Sequence, residues 1–335
     1  MDSVWVVSAM LISFAATALL GKWMVPYLHK INFGQTIRES GPIWHKKKNG
    51  TPTMGGFMFI IGIILAVIIC VPLYYHYSGN SPYMMSMSVK IIGGLVMACM
   101  FGFIGFIDDY IKVVKKRNLG LDVRQKLVLQ FIAAGVYLYS LYRAGCGSKM
   151  LIPFAGSADW GIWYWIISLF GIVGMVNAVN FTDGIDGLNA SVTFFASLAF
   201  FAISGLMHLT AVGIFAAAAA GGCLGFLIWN FNPAKVFMGD TGSLFLGGVV
   251  CALGFALNVP ILILLIGIIY IIEILSVVLQ VSYFKATHGK RLFKMTPIHH
   301  HFEMCGWSEI KICVVFSIVT IICGTGAVLL VAFGL

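Results

Sequence analysis

The chain has 335 residues, of which 60% are hydrophobic and only 10% charged, and it carries a formal net charge of +9. A soluble domain has roughly 25% charged residues, so this composition excludes a water-soluble globular protein and identifies an integral membrane protein. Positive charge on so apolar a chain suits anionic lipid head groups or an anionic substrate.

A helix needs about 20 apolar residues to cross a hydrocarbon core. Ten segments of that kind are predicted, over 4–26, 55–75, 90–107, 127–143, 160–179, 189–207, 211–229, 243–258, 260–284 and 310–333. The predicted fold is therefore an all-α polytopic membrane protein, one domain over residues 1–335. The first segment lacks a basic start and an obvious cleavage site before Lys22, so it reads as a retained helix and not as a signal peptide. The eight cysteines are scattered, with no CxxC pair, which marks them as packing residues and argues against a disulfide framework.

With both termini outside, the inner loops are about 27–54, 108–126, 180–189, 230–242 and 285–309, and with their flanks they hold 18 of the 21 Lys and Arg. Only Lys90, Arg143 and Lys149 fall outside, as the positive-inside rule requires. Nine of the 12 acids, Glu39, Asp108, Asp109, Asp122, Asp183, Asp186, Asp240, Glu303 and Glu309, lie on the same inner side. Any chemistry is expected to face the cytoplasm. Glu273 lies inside the ninth span, where an ionisable group is costly unless paired or wet; it is either a polar contact between helices or part of the site.

The inner segments carry the motifs. HKKKNGTPTMGG (45–56) joins three lysines to a Thr-Pro-Thr turn and paired glycines. It reads as a basic membrane-surface loop or as a phosphate contact, since Lys is a mobile point charge and Gly permits close backbone approach. In FIDDYIKVVKK (106–116), Asp108 and Asp109 adjoin at the end of the third span. Continued helix would put Lys112 on the face of Asp108. A salt bridge accounts for one acid, whereas two repelling neighbours call for a cation or a general base.

NFTDGIDGLN (180–189) follows the fifth span. Asn177, Asn180, Asp183, Asp186 and Asn189 recur at every third position, a polar surface along one drifting helical face that Gly184 and Gly187 interrupt. FNPAKVFMGDTGSL (231–244) brings Asn232, Lys235 and Asp240, the last either an ordinary helix N-cap or a carboxylate for a hard cation beside a phosphate-binding helix terminus. PIHHHFE (297–303) has three adjacent histidines, which cannot all ligate one ion, so anion contact or proton transfer is the better reading than zinc. Acids, amides, lysines and histidines on one side of a membrane point to a magnesium-dependent reaction of a phosphate-bearing substrate. With no Walker loop or kinase signature, the phosphate donor is not expected to be ATP.

Together GTPTMGG, FIDDYIK, NFTDGIDGLN, FNPAKVFMGDTGSL and PIHHHFE resemble the phospho-N-acetylmuramoyl-pentapeptide transferase family, within the polyprenyl-phosphate N-acetylhexosamine phosphate transferases. The resemblance implies transfer of phospho-MurNAc-pentapeptide from UDP-MurNAc-pentapeptide to undecaprenyl phosphate, giving lipid I and UMP at the bacterial inner membrane. It implies Mg²⁺ at Asp240, Asp108 as base or nucleophile with Asp109 beside it, and His299 acting on the diphosphate or sugar side. Lys48 and Asp183 would contact the uridine end, Phe237 would stack on uracil, and Thr53, Asn180, Asp186, Asn232, His300 and His301 would complete the substrate site. The substrates and membrane lipids are the expected partners, a homodimer is compatible with them, and nucleic acid is not among them. The mechanism is left open between a covalent intermediate on Asp108 and direct attack by the lipid phosphate. The rival readings are a UDP-GlcNAc-using transferase of the same superfamily and a membrane transporter.

Overall fold

A computed structural model of the protein describes residues 2–31, 48, 50–78, 84–115 and 120–335. His45, Lys46 and Lys47 of the first inner loop, Glu39, and Lys116 of the second lie outside these residues. The helices are α1 (Asp2–Lys30), α2 (Gly56–Ser78), α3 (Met84–Val114), α4 (Val123–Arg143), α5 (Ile162–Phe181), α6 (Leu188–Leu206), α7 (Thr210–Asn230), α8 (Gly239–Ala256), α9 (Ile263–Ile266), α10 (Ile268–Ala286), α11 (Ile298–Met304) and α12 (Glu309–Gly334). Between α4 and α5 a short hairpin pairs β1 (Lys149–Ile152) with antiparallel β2 (Gly156–Asp159), with Lys149 opposite Asp159.

Among the described residues, nine helices are long and apolar enough to cross a membrane. The fourth predicted segment is a helix of 21 residues, but Arg124, Gln125, Lys126 and Gln130 make α4 too polar to join those nine. The expected single span over 260–284 is broken. Pro260 opens a 3₁₀ turn to Leu262, α9 lasts one turn, and Gly267 separates it from α10. Pro and Gly are the residues that least favour a continuous helix. The first segment is a full helix whose residues pack on α7: a Cβ on Gly221 would lie 2.2 Å from the Met10 carbonyl oxygen.

Small residues set the helix spacing, as is common where helices meet in an apolar solvent. Helix α8 is the centre of the bundle and is buried along nearly its whole length. A Cβ on Gly248 would fall 2.6 Å from Ala98 Cα of α3, and one on Gly247 would fall 2.7 Å from Val176 Cα of α5. Backbone therefore meets backbone on two sides of α8. At its N-terminal end, a Cβ on Gly105 of α3 would lie 2.1 Å from the Asp240 carbonyl oxygen. That contact seats the polar end of α3 against the first turn of α8. The opposite end is closed by the hairpin, where the Leu151 amide donates to Asn258 and the Phe154 amide to Gly334.

Gly105→Ala should force the α3–α8 contact apart and cost about 1–3 kcal/mol, as overpacking does, lowering the thermal midpoint of the detergent-solubilised protein. Gly135→Ala on α4, where a Cβ meets nothing within 4 Å, is the control and should leave the midpoint unchanged or slightly raised.

Candidate active site

Helix α3 continues beyond its apolar run, which ends at Ile107, as far as Val114, so Asp108 and Asp109 project from an intact helix with Lys112 one turn on. Asp109 is buried, and its carboxylate accepts hydrogen bonds from the amides of Asp240 (3.2 Å) and Thr241 (2.9 Å) and from the Thr241 hydroxyl (2.8 Å). It caps α8 from a different helix, supplying the acceptors that a helix N-terminus lacks and a negative charge at its positive end. Asp240 is thus not its own helix's N-cap but a first-turn residue. Gly239, at φ +70°, lies between Asp109 and Thr53: a Cβ there would meet the Asp109 carboxylate at 2.5 Å and the Thr53 hydroxyl at 2.6 Å.

Asp108 accepts from the Leu121 amide at 2.8 Å and pairs with Lys112 at 2.6 Å. Asp240 is held by Lys126 at 2.7 Å, Lys112 at 3.0 Å and the Asn180 amide group at 2.9 Å. Asn180 also donates to Ser243 at 2.7 Å. One carboxylate oxygen from each of Asp108, Asp109 and Asp240 lies within 4.8 Å of the others. Such a set of hard oxygen donors fits a divalent cation of the magnesium kind. Two ammonium groups answer these three carboxylates, and Asp183 adds a fourth.

The polar residues of 177–189 do not share one helical face. α5 ends at Phe181, and Gly187 (φ +77°) turns the chain into α6. Asn177 donates to Gln130 on α4, while Asn189 bonds the Val179 carbonyl, so both are packing contacts. Asp183 is left in the turn, half-buried, its amide donating to the Asn180 carbonyl at 3.2 Å and its side chain without a hydrogen-bond or cation partner among the described residues. Desolvation raises its pKa well above the ordinary carboxylate value, and repulsion from Asp240, Asp109 and Asp186 adds to the rise.

Asp186 is a hub of a second cluster. It pairs with Lys48 at 2.6 Å and accepts from the Asn232 side chain at 3.1 Å and the Ala234 amide at 2.9 Å. Lys48 also meets Glu309 of α12 at 2.6 Å, and Glu309 accepts the Asp186 amide at 2.9 Å. The Thr-Pro-Thr-Met-Gly-Gly segment is stitched to the loop before α8: Phe237 donates to Pro52, Gly55 to Phe237 and Gly56 to Met238, at 2.8, 2.8 and 3.1 Å. Thr53 is thereby buried and Phe237 held by its backbone with its side chain partly exposed.

The family model described as glycosyl transferase family 4 matches residues 91–258, which contain Asp108, Asp109, Asn180, Asp183, Asp186 and Asp240. Relatives match almost the whole chain. A phospho-N-acetylmuramoyl-pentapeptide-transferase of Clostridium perfringens is 46% identical over 95% of this chain and 96% of its own. Those of Heliobacterium modesticaldum and Listeria monocytogenes are each 44% identical, covering 96% and 92% of this chain and 96% and 93% of theirs. The chain belongs to the phospho-N-acetylmuramoyl-pentapeptide transferase family. It is a multi-pass membrane protein of that bacterial family.

The triple-histidine segment forms α11, and its three side chains separate. His299 is buried and sets Nδ1 3.0 Å from both carboxylate oxygens of Glu273 on α10. His300 Nδ1 pairs with Glu303 at 2.6 Å, and His301 Nδ1 accepts the Lys294 amide at 3.1 Å. His299 adjoins the Asp183 turn: a Cβ on Gly184 would fall 2.1 Å from its Nε2. Lys126 and Glu309 were not singled out by motif. Each is an ionisable residue in the first turns of a helix that begins at the end of the bundle carrying the aspartates, and that position is the signal by which both can be found.

Asp109→Ala leaves three donors at the start of α8 without an acceptor and should destabilise the protein by about 1–3 kcal/mol. Asp109→Asn keeps one acceptor oxygen and should lose less. Thermal unfolding of both variants in one detergent measures the difference.

Proposed function

We propose that this protein transfers phospho-MurNAc-pentapeptide from UDP-MurNAc-pentapeptide to undecaprenyl phosphate, forming lipid I and UMP at the cytoplasmic face of the bacterial inner membrane. The observation that carries the reading is the cluster of buried Asp108 and Asp109 with half-buried Asp240 at the meeting of α3 and α8, within 4.8 Å and flanked by two lysines. The concentration of Lys and Arg in the inner loops supports the cytoplasmic orientation, with both termini outside.

Mg²⁺ is the proposed cofactor, held by Asp240 with Asp108 within reach and Asp109 fixing the helix that carries Asp240. Bound there, it would neutralise charge on the transferring phosphoryl group and on departing UMP. The chain's own groups do the rest. Lys112 and Lys126 offer four-carbon arms that can turn from carboxylates to phosphate oxygens. The lipid phosphate, with a second pKa of roughly 6, is largely ionised near neutrality. Its oxygen attacks the sugar-linked phosphorus, the bond from that phosphorus to the bridging oxygen breaks, and UMP leaves with that oxygen. Direct attack is favoured because Asp108 is buried and engaged by Lys112 and the Leu121 amide, which leaves it poorly exposed as a nucleophile. Asp108 instead balances charge and accepts any proton still carried by the lipid phosphate.

Asp183, Phe237, Asn180 and Thr53 are proposed to line the nucleotide side, with Asp183 offering an unpartnered carboxyl group to the uridine end and Phe237 a ring to the base. Lys48, Asp186 and Asn232 act by holding that pocket's walls together. His299 faces the diphosphate, while His300 and His301 shape the loop around it. The partners are the two substrates and membrane lipids, with a homodimer as the candidate assembly.

Purified protein with both substrates should release UMP only when Mg²⁺ and undecaprenyl phosphate are present, and Asp240→Asn should lower the rate by about 100-fold or more, the scale of losing a preorganised electrostatic group. Release of UMP with UDP-GlcNAc in place of the muramoyl donor would assign the chain to a different donor. Well-folded protein silent with both donors would return the weight to transport.

A further inference from the structure

Glu273 is fully buried on a helix long and apolar enough to span the membrane. A carboxylate in such a place is costly unless a hydrogen-bonding or charged partner meets it. Among the described residues its side chain meets one polar group, His299 Nδ1, which lies 3.0 Å from both oxygens. The other ring nitrogen is in the opposite condition. His299 Nε2 is buried and has no hydrogen-bond partner among the described residues. It abuts the turn of Asp183 and Gly184, where a Cβ on Gly184 would strike it at 2.1 Å. A glycine is therefore needed for this ring to reach the turn.

These two halves belong together. A carboxylate that accepts from Nδ1 fixes both the ring's orientation and the position of one proton, and it leaves Nε2 as the group offered to a ligand. We propose that Glu273 is a positioning residue for the phosphotransfer, acting through His299 so that Nε2 is aimed at an anionic oxygen of the sugar nucleotide beside the Asp183 turn and donates Nε2–H to it from the doubly protonated ring. When both ring nitrogens carry hydrogen, the ring's positive charge is balanced locally by Glu273. The neighbours in the triplet are held differently: His300 sets Nδ1 on Glu303 of its own short helix, and His301 accepts from the Lys294 amide and lies 3.8 Å from the Cys305 thiol.

The inference rests on the transferase reading, and its test separates the two. Wild type, Glu273→Gln, His299→Ala and the double variant are compared for UMP release, KM for the sugar nucleotide and thermal midpoint. The expected result is a kcat loss of about 10- to 100-fold for Glu273→Gln, the range typical when a residue supporting a functional histidine is changed, with the midpoint little altered. The double variant should be no slower than His299→Ala alone, because Glu273 acts only through that ring. Multiplying losses in the double variant, or a lowered midpoint with normal kcat, would reduce Glu273 to a structural contact and overturn the assignment. A second readout is independent of turnover. With ¹⁵N-labelled histidine, the resonance that vanishes in His299→Ala should report a protonated Nδ1 in the wild type and lose that signature in Glu273→Ala. An unprotonated Nδ1 in wild type would overturn the pairing. Wild type that passes this spectroscopic test and releases no UMP would instead bring down the transferase reading.

Discussion

The amide protons at the start of α8 have no acceptors within their own helix, and the carboxylate of Asp109 is what meets them. A helix buried on all sides in an apolar bundle cannot leave these donors to water. Asp109 therefore joins the end of α3 to the beginning of α8, and the distances among Asp108, Asp109 and Asp240 follow from that joint. Glycine makes the joint physically accessible. Gly105 lets α3 approach the Asp240 carbonyl, and Gly239 leaves room for both Asp109 and Thr53. Adjacent acids at the end of a greasy helix thus have different tasks. Asp109 is turned inward to a helix terminus, whereas Asp108 and Asp240 share the lysines.

Charge balance sets what the cluster can accept. Lys112 bridges Asp108 and Asp240, and Lys126 holds Asp240, yet Asp183 stands nearby with no cation among the described residues. Desolvation and three neighbouring carboxylates raise its pKa. Any cation brought to this end of the bundle relieves that repulsion, and a cation that arrives with phosphate oxygens also supplies acceptors for the lysines. An apolar surround makes both effects larger than they are in water. The second cluster has the opposite character. Lys48 lies between Asp186 and Glu309, and Asp186 also gathers the Asn232 side chain and the Ala234 amide. It ties three interhelical segments and α12 together, and it is better suited to holding a wall than to exchanging partners with a ligand.

The spans were legible because a hydrocarbon core demands a long apolar run, and the polar segments that meet at the site because charged groups gather where the runs end. The extension of α3 through Asp108 to Lys112 followed from the same helical spacing. Other features depended on contacts between distant residues. The regular spacing of Asn177 to Asn189 suggested one face, but the helix ends at Phe181, four of the five side chains take separate partners, and Asp183 takes none among the described residues. The broken ninth span was hidden because Gly267 is one small residue in a continuous apolar run, and hydropathy does not register a change of direction. The hairpin at Lys149–Asp159 is too short to leave a clear alternating pattern. Lys126 and Glu309 gain their meaning only from Asp240 and Lys48, which lie 114 and 261 residues away along the chain.

The site has two walls of different mechanical origin. One is built from α3, α5 and α8, whose backbones are in direct contact and whose polar ends are fixed by the capping of α8. The other comes from α10 and α11, where a single buried carboxylate meets a single histidine and a glycine turn receives the ring. Helix α10 exposes Leu275, Val278, Leu279 and Phe284, so it is embedded in the bundle far less completely than α8. The Glu273–His299 pair gives this less enclosed helix a fixed polar reference to the turn at Asp183. A ligand spanning the two walls would then meet preset groups on both sides, and the orientation of His299 would not have to be established anew each time the ligand binds. That is the physical advantage of burying a carboxylate where apolar packing alone would have been the simpler solution.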